Sequence, residues 1–299
     1  MKKEIASIIL LFLTAQMLGL FVGKTLTDQS HFYSEFESLS VAPAGGGNAE
    51  SSLVLMLYIL AGAALLLLVI RVYHGVMLYK LLEAGIVFGA SNIVFYVVLF
   101  AFGIPDYLEL SLLLSLALAL AKFVMPSLKN TTAVIASAGV GAVFGFSFDP
   151  LPAVLFMVGL SIYDIWAVFG TRHMVTMARE LGGRNLSFSV NAESVEKVRV
   201  PVQPTPAQKR KGAGPKFREE ERKSSLELGT GDIAVPLMLA VSSYKSGSLI
   251  APLAIVAASA IALYFVLWYV SEKRVFLPAL PPLTAAGIIA LALVQLAGL

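Results

Sequence analysis

The chain contains no cysteine, which excludes disulfide bonds and thiol catalysis and leaves the redox compartment undefined. Charged residues are also scarce. Asp, Glu, Lys and Arg make up 14% of the 299 residues, and hydrophobic residues make up 58%. Soluble domains carry about 25% charged and about 45–50% apolar residues. The composition therefore indicates a polytopic membrane protein, and its net charge of +3 is too small to indicate a nucleic-acid partner.

Histidine is rare as well. The three histidines, His31, His74 and His173, include no His-Glu-x-x-His pair, so a zinc protease is disfavoured. Gly-x-Ser-x-Gly is absent too, which argues against a rhomboid-like serine protease. We expect the histidines to lie in loops or at the membrane interface. The sequence predicts neither a metal nor an organic cofactor.

Long apolar runs fill most of the chain, and about 17–25 residues suffice to cross a bilayer. By this criterion the sequence predicts an all-α fold with nine transmembrane helices. They are residues 5–23, 52–70, 84–103, 108–125, 131–148, 151–170, 229–244, 249–270 and 279–298. The first run could alternatively be a secretory signal. However, it exceeds the usual length of roughly 7–15 apolar residues, and no convincing cleavage site follows it.

The distribution of basic residues predicts the orientation. With a cytoplasmic amino terminus, only Lys24 and Lys245 fall outside. The remainder lie inside or at the inner interface: Lys2, Lys3, Arg71, Lys80, Lys122, Lys129, Lys273, Arg274 and every Lys or Arg from Arg172 to Lys223. This positive-inside pattern agrees with nine spans and places the carboxyl terminus outside.

A polar, proline-containing segment divides the chain. Residues 171–227 have too little periodic apolar content to form a core, so they are predicted to be a flexible basic cytoplasmic loop. The loop separates a six-helix part, residues 1–170, from a three-helix part, residues 228–299. Within it, Lys209-Arg-Lys211 could bind lipid headgroups, although a solvated determinant of orientation is favoured.

Two aspartates, Asp164 and Asp232, lie within predicted spans. Carrying Asp to the centre of a spanning helix costs about 2.5–3.5 kcal/mol, so such a residue is by default a functional candidate. Asp164 lies about 9 Å and Asp232 roughly 5–6 Å from the inner end of its span, at 1.5 Å per residue. Antiparallel neighbouring helices would therefore bring the two carboxyl groups to a similar depth.

Two carboxyl groups in one low-dielectric site cannot easily both ionise, so they tend to share one proton and titrate as a unit. One carboxylate can then act as general base on a water molecule. The other can act as general acid on the scissile carbonyl, as in aspartic proteases. This chemistry requires no covalent intermediate, metal or cofactor, and it favours peptide hydrolysis.

Glycine and proline surround Asp232. Gly229 and Gly231 permit close approach of a neighbouring helix or of a substrate backbone. Pro236 has no N–H to donate to the carbonyl of Asp232, so the helix is predicted to be loosened or kinked there.

A third element, Leu277-Pro-Ala-Leu-Pro-Pro-Leu283, opens the last predicted span. Its three prolines predict an irregular backbone with unpaired acceptors for an extended substrate strand. The alternative is an ordinary proline-rich helix start.

Tyr163-Asp164, Gly229-Thr-Gly-Asp232 and Pro278-Ala-Leu280, in this order on late spans, resemble the presenilin and signal peptide peptidase family. Each motif alone is weak, but all three in a nine-span chain are specific. The resemblance implies proteolysis within transmembrane helices of membrane proteins or signal peptides, with Asp164 and Asp232 catalytic. The residues expected to shape the substrate site are Tyr163, Gly229, Gly231, Pro236, Pro278, Ala279 and Leu280.

Details of the resemblance are mixed. Ile165-Trp-Ala-Val-Phe-Gly-Thr171 and Ile233-Ala-Val-Pro236 are similar to the signal peptide peptidase branch. Pro278-Ala-Leu-Pro281 and the predicted cytoplasmic amino terminus are similar to presenilin, and the mixture favours a microbial homologue such as an archaeal one. Thr230 stands where family members often carry Leu, which bears on substrate preference. Prepilin peptidases share Gly-x-Gly-Asp but fit the nine-span layout poorly.

Two other interpretations use the same carboxylates. A cation channel or transporter also needs intramembrane acids, and two aspartates could simply pair with polar groups between helices. The three coincident motifs favour the protease. Its expected partners are transmembrane-helix peptides and the lipid bilayer, without nucleic acid, and the sequence leaves oligomerisation open. We expect Lys122 to snorkel to the headgroups, and Glu83 and Asp149 to be interfacial.

Overall fold

The computed structural model describes residues 2–29, 54, 57, 58, 61, 76–170, 189–201, 217–273 and 277–298. The helices in these ranges are α1 (Lys2–Asp28), α2 (Val76–Ala101), α3 (Tyr107–Val124), α4 (Lys129–Ser147), α5 (Pro150–Ile165), α6 (Thr230–Ser243), α7 (Ile250–Lys273) and α8 (Leu280–Leu296). A π-helical turn, Trp166–Gly170, follows α5. Two strands, β1 (Ser189–Pro201) and β2 (Phe217–Gly229), precede α6.

Among the described residues, six helices are long and apolar enough to cross a membrane: Lys3–Asp28, Lys80–Ala101, Tyr107–Val124, Pro126–Ser147, Pro150–Gly170 and Ile250–Lys273. The protein is therefore an integral, multi-pass membrane protein. Helices α1 to α8 coincide with eight of the predicted spans. In the predicted span 52–70, residues 54, 57, 58 and 61 are described and helical, and the others lie outside the described residues. The count of nine spans and the orientation remain predictions.

The short helix α6 lies at the centre of the bundle. It packs against α1, α4, α5, α7 and α8, and every residue from Ile233 to Ser243 is buried. Its 14 residues rise about 21 Å, less than the roughly 30 Å of a bilayer's hydrocarbon core. Because α6 is enclosed by protein and is shorter than the membrane is thick, a polar residue at its end can lie at membrane depth without contacting lipid.

Glycines on two helices allow α6 to pack this closely. They are Gly19 and Gly23 on α1, and Gly141 and Gly145 on α4. A Cβ atom at Gly141 would lie 2.8 Å from the carbonyl oxygen of Ala234, and one at Gly145 would lie 2.7 Å from that of Met238. Both distances are shorter than real Cβ contacts. The α4 backbone therefore contacts α6 directly, and the two pairs form a glycine groove that holds α6.

The prediction of an all-α fold is wrong for residues 189–201 and 217–229, which form two strands, whereas the flexibility of residues 171–227 stays a prediction. Strands β1 and β2 form an antiparallel hairpin with a register that runs from Ser189 opposite Gly229 to Pro201 opposite Phe217. Four alternating apolar residues at its base are buried in one cluster with α1 and α4: Val190, Ala192, Leu226 and Leu228. The alternation places these side chains on one face of the hairpin, which gives it a surface to bury. The fold is mostly helical.

An asparagine side chain on α4 also holds the hairpin. Asn130 Nδ2 donates to the carbonyl oxygen of Asn191 at 2.8 Å, and the Asn191 N–H donates to Asn130 Oδ1 at 3.0 Å. This two-point contact satisfies the backbone of β1 as a neighbouring strand would. Because β2 continues directly into α6, anchoring the hairpin also constrains where α6 begins.

One prediction for a charged residue in the first half is corrected. Lys122 does not extend to the surface of the bundle: it is buried on α3 and forms an ion pair with Glu83, which is buried on α2. Each buried charge thereby gains the partner that it requires. The interfacial depth of Glu83 stays a prediction. Asp149 is half-exposed and pairs with Lys245 at 3.0 Å. The three histidines and Lys209-Arg-Lys211 lie outside the described residues.

Candidate active site

Asp164 lies in the last turn of α5 and is 6% exposed. The helix continues into the π-helical turn Trp166–Gly170, a type of distortion that is frequent at functional sites. The neighbouring Tyr163 is more exposed, and its ring lies 6.4 Å from the ring of Trp166. Consecutive residues of the Tyr-Asp motif thus have different surroundings: the acid is buried and the phenol is at the surface of the bundle.

Asp232 occupies the third position of α6, immediately after β2. Gly229 ends the strand and is the N-cap of the helix, and its N–H donates to the Asp232 carboxylate. This bond is one half of a capping box, in which an acid at the third position accepts from the N-cap N–H. A Cβ atom at Gly229 would lie 3.2 Å from Asp232 Oδ2, so glycine leaves room for the carboxylate. The helix amino terminus also favours negative charge at this position.

The carboxyl groups of Asp164 and Asp232 lie close enough for the charge of one to act on the other. They come from different helices, α5 and α6, which pack against each other. Asp164 is buried and Asp232 is partly exposed. The structure thus brings together the two carboxyl groups for which the sequence predicts a similar depth.

The Pro-Ala-Leu segment contacts Asp164 through its backbone. Helix α8 begins at Leu280, and the Leu280 N–H donates to the Asp164 carboxylate. Pro281 and Pro282 occupy the next two positions and have no N–H, so Leu280 supplies the single free donor among the first three residues of α8. The prediction of an irregular backbone with free acceptors is wrong for these prolines, because they lie within the first turn of the helix. The segment provides a donor.

The other predicted site residues are buried, except for Gly231. Pro278 and Ala279 are buried just before α8. Pro236 lies inside α6 and is buried. Gly231 is exposed, and a Cβ atom there would meet no described atom within 4 Å. The close helix neighbour predicted for Gly231 is therefore not found in the described part of the structure, and the position borders open space. No cluster of three or more potential metal ligands occurs among the described residues.

Sequence reasoning missed a buried hydroxyl pair one helical turn from the site. The hydroxyl oxygens of Ser161 on α5 and Thr284 on α8 are 2.7 Å apart, and both residues are buried. Ser161 precedes Asp164 by three residues, and Thr284 follows Leu280 by four. Helices α5 and α8 are therefore joined at two successive turns, once by the hydroxyl pair and once by the bond from Leu280 to Asp164. The spacing of three or four residues from the motifs is the signal that could have identified the pair.

If the carboxyl group of Asp164 takes part in a reaction, we expect Thr284→Val to lower the rate of that reaction about tenfold. The substitution keeps the shape of the side chain but removes a hydrogen bond of about 0.5–1.5 kcal/mol that sets the register of α5 against α8. Thr284→Ser should restore most of the rate because it keeps the hydroxyl group. Ser115→Ala is a matched control, since Ser115 is buried on α3 and bonds to Leu112 in its own helix. A similar loss in the control would contradict a role at the site.

The chain matches the family model described as "Signal-peptide peptidase, presenilin aspartyl protease" over residues 9–297. Two solved structures of presenilin family intramembrane aspartate proteases have similar folds. The structure in space group C222 has a TM-score of 0.66 and 21% identity, over 98% of this chain and 99% of that chain. The structure in space group P2 has a TM-score of 0.65 and 21% identity, over 97% of each chain. Among curated proteins, none matches. Because the family model covers nearly the whole sequence, this chain belongs to the signal peptide peptidase and presenilin aspartyl protease family.

Proposed function

We propose that the protein is an intramembrane aspartyl protease that hydrolyses peptide bonds within transmembrane helices of membrane proteins or signal peptides. Asp164 and Asp232 are its catalytic residues. The observation that carries this assignment is the proximity of two carboxyl groups from α5 and α6, each held by a backbone N–H from a different motif. Membership of the family supports the same reaction.

In this mechanism the two carboxyl groups hold one proton between them. The ionised carboxylate accepts a proton from a water molecule while the water oxygen attacks the scissile carbonyl carbon. The protonated carboxyl group donates its proton to the carbonyl oxygen. Collapse of the tetrahedral intermediate breaks the C–N bond. The carboxyl group that took the proton from water donates it to the leaving nitrogen, and the other carboxylate takes a proton back from a hydroxyl group of the intermediate, which restores the shared proton. The N–H groups of Leu280 and Gly229 hold the two carboxyl groups in position during these steps.

The substrate backbone requires space next to Asp232. The carbonyl groups of a transmembrane helix are hydrogen-bonded within the helix, so the substrate must be locally unwound before water can attack. No described atom lies within 4 Å of a Cβ atom built at Gly231, the neighbour of Asp232, which supports placing the unwound segment on this side of Asp232. The buried residues Pro278 and Ala279 form the Pro-Ala-Leu boundary of the same site.

The test is cleavage of a single-span substrate by the purified chain in liposomes. We expect products cut within the membrane segment, identified by mass spectrometry. When the reaction runs in water labelled with oxygen-18, each new carboxyl group should carry one heavy oxygen atom. Cation flux is measured in the same liposomes. Flux without peptide products would overturn the proposal and favour a channel or transporter.

A further inference from the structure

A glutamine from the first helix contacts the helix that carries Asp232. Gln16 on α1 is 0% exposed, and its Nε2 donates to the carbonyl oxygen of Ile233 at 2.8 Å. Only the amide nitrogen can donate to a carbonyl, so the chemistry fixes the orientation of the side chain. The bond joins residues that are 217 positions apart, and it reaches the residue next to Asp232.

This contact is made where α6 is weakened. Pro236 cannot donate to the carbonyl of Asp232, so the first turn of α6 lacks one of its intrahelical bonds. Gln16 supplies a bond to the following carbonyl, that of Ile233. A side chain of α1 thus ties down the segment of α6 that proline loosens. The side chains of Leu237 and Val241, farther along α6, lie against Gly19 and Gly23 of the same helix.

Glutamine at position 16 is unfavourable for the stability of the protein. Its Oε1 is buried and has no hydrogen-bond partner in the described part of the structure. A buried polar group that is half satisfied is less favourable than an apolar side chain of the same size. Stability therefore favours an apolar residue at position 16, and a residue kept against stability is expected where function requires it.

We propose that Gln16 is a positioning residue that fixes the amino-terminal turn of α6, and with it the carboxylate of Asp232. This inference rests on the proposed function, because the reaction assigned to Asp232 defines what is positioned. Gln16 acts through the Ile233 carbonyl and does not contact the substrate. Its removal lets the first turn of α6 move and misplaces Asp232 relative to Asp164.

The test compares Gln16→Met with the wild type. Methionine has the same length but no donor, so we expect kcat to fall about 10- to 100-fold with KM unchanged. The thermal midpoint should be unchanged or higher. Asn92→Leu is the control, because Asn92 on α2 also carries a buried amide oxygen without a hydrogen-bond partner among the described residues. It should leave kcat unchanged. Loss of kcat in the control, or a joint fall of kcat and thermal midpoint in Gln16→Met, would overturn the proposal.

Two further measurements separate this proposal from the proposed function. Amide hydrogen exchange at residues 230–235 should be about tenfold faster in Gln16→Met, whether or not the protein cleaves peptides. Unchanged exchange would overturn the role of Gln16. If exchange is faster but the wild-type protein cleaves no peptide, the proposed protease function fails and the positioning role of Gln16 stands. In Gln16→Glu, the neutral acid can donate to Ile233 and the ionised acid cannot. Because burial favours the neutral acid, Gln16→Glu should keep more of the wild-type kcat than Gln16→Met, and an equal loss of kcat in the two variants would contradict the donor role.

Discussion

Replacing either Asp164 or Asp232 by asparagine is expected to lower the cleavage rate at least about 10³-fold. Asparagine cannot exchange a proton with water or with the scissile carbonyl, and general acid–base catalysis contributes about 10²–10⁴-fold at each such group. The amide oxygen can still accept from the N–H of Leu280 or Gly229, so both variants should fold. Initial rates of product formation in liposomes give the measurement, and thermal midpoints within about 2 °C of the wild type show that the fold is kept.

The double variant provides a stronger test of the pair. Two residues that act as a unit lose their function together, so replacing both should cost no more than replacing one. Two independent contributions would instead multiply. Asp106→Asn is a matched control, because Asp106 is an exposed aspartate before α3 and should tolerate the same substitution without loss of rate. Multiplicative losses, or substantial cleavage by either single variant, would remove the pair from the mechanism.

The location of the candidate site was accessible from the sequence because it depends on helix geometry. A fixed rise per residue and an antiparallel arrangement determine how deep Asp164 and Asp232 lie. The role of Leu280 could also have been deduced. Proline at 281 and 282 leaves one free donor at the start of α8, and an acid in a neighbouring span is its natural acceptor.

Contacts between distant segments could not be deduced in this way. The bond from Gln16 to Ile233 and the pairing of Lys122 with Glu83 depend on which helices become neighbours, and no local periodicity encodes that. The hairpin was missed for a different reason. Each strand has two buried apolar residues at its base, but charged residues are frequent in the rest of its sequence. The apolar content of residues 171–227 therefore stays low.

The spacing of the glycines in α1 and α4 was a visible signal. Gly19 and Gly23, like Gly141 and Gly145, are four residues apart, which places each pair on one helix face and is typical of close helix packing in membranes. The sequence does not identify the partner. The structure shows that both pairs pack against α6, so we expect the glycine groove to affect the position of Asp232 as well as the stability of the bundle.

Gly145→Ala is therefore expected to destabilise the protein by about 1–3 kcal/mol and to lower the cleavage rate more than tenfold. The added Cβ atom would lie 2.5 Å from the Val241 Cβ and 2.7 Å from the Met238 carbonyl oxygen, so α6 must move away from α4 and carry Asp232 with it. Thermal unfolding in detergent and initial rates in liposomes measure the two effects.

Alanine substitutions at two other glycines, which have more free space, provide a comparison for Gly145→Ala. Gly89→Ala on α2 meets no described atom within 4 Å and should stabilise its helix by about 0.5–1 kcal/mol, because alanine has the higher helix propensity. Gly287→Ala on α8 would contact Leu239 at 3.4 Å, an ordinary van der Waals distance, and should fall between the two. The stabilities and rates of the three variants should therefore follow the space available for the added methyl group. If Gly145→Ala were as stable and active as Gly89→Ala, close packing in the glycine groove would not be what positions α6.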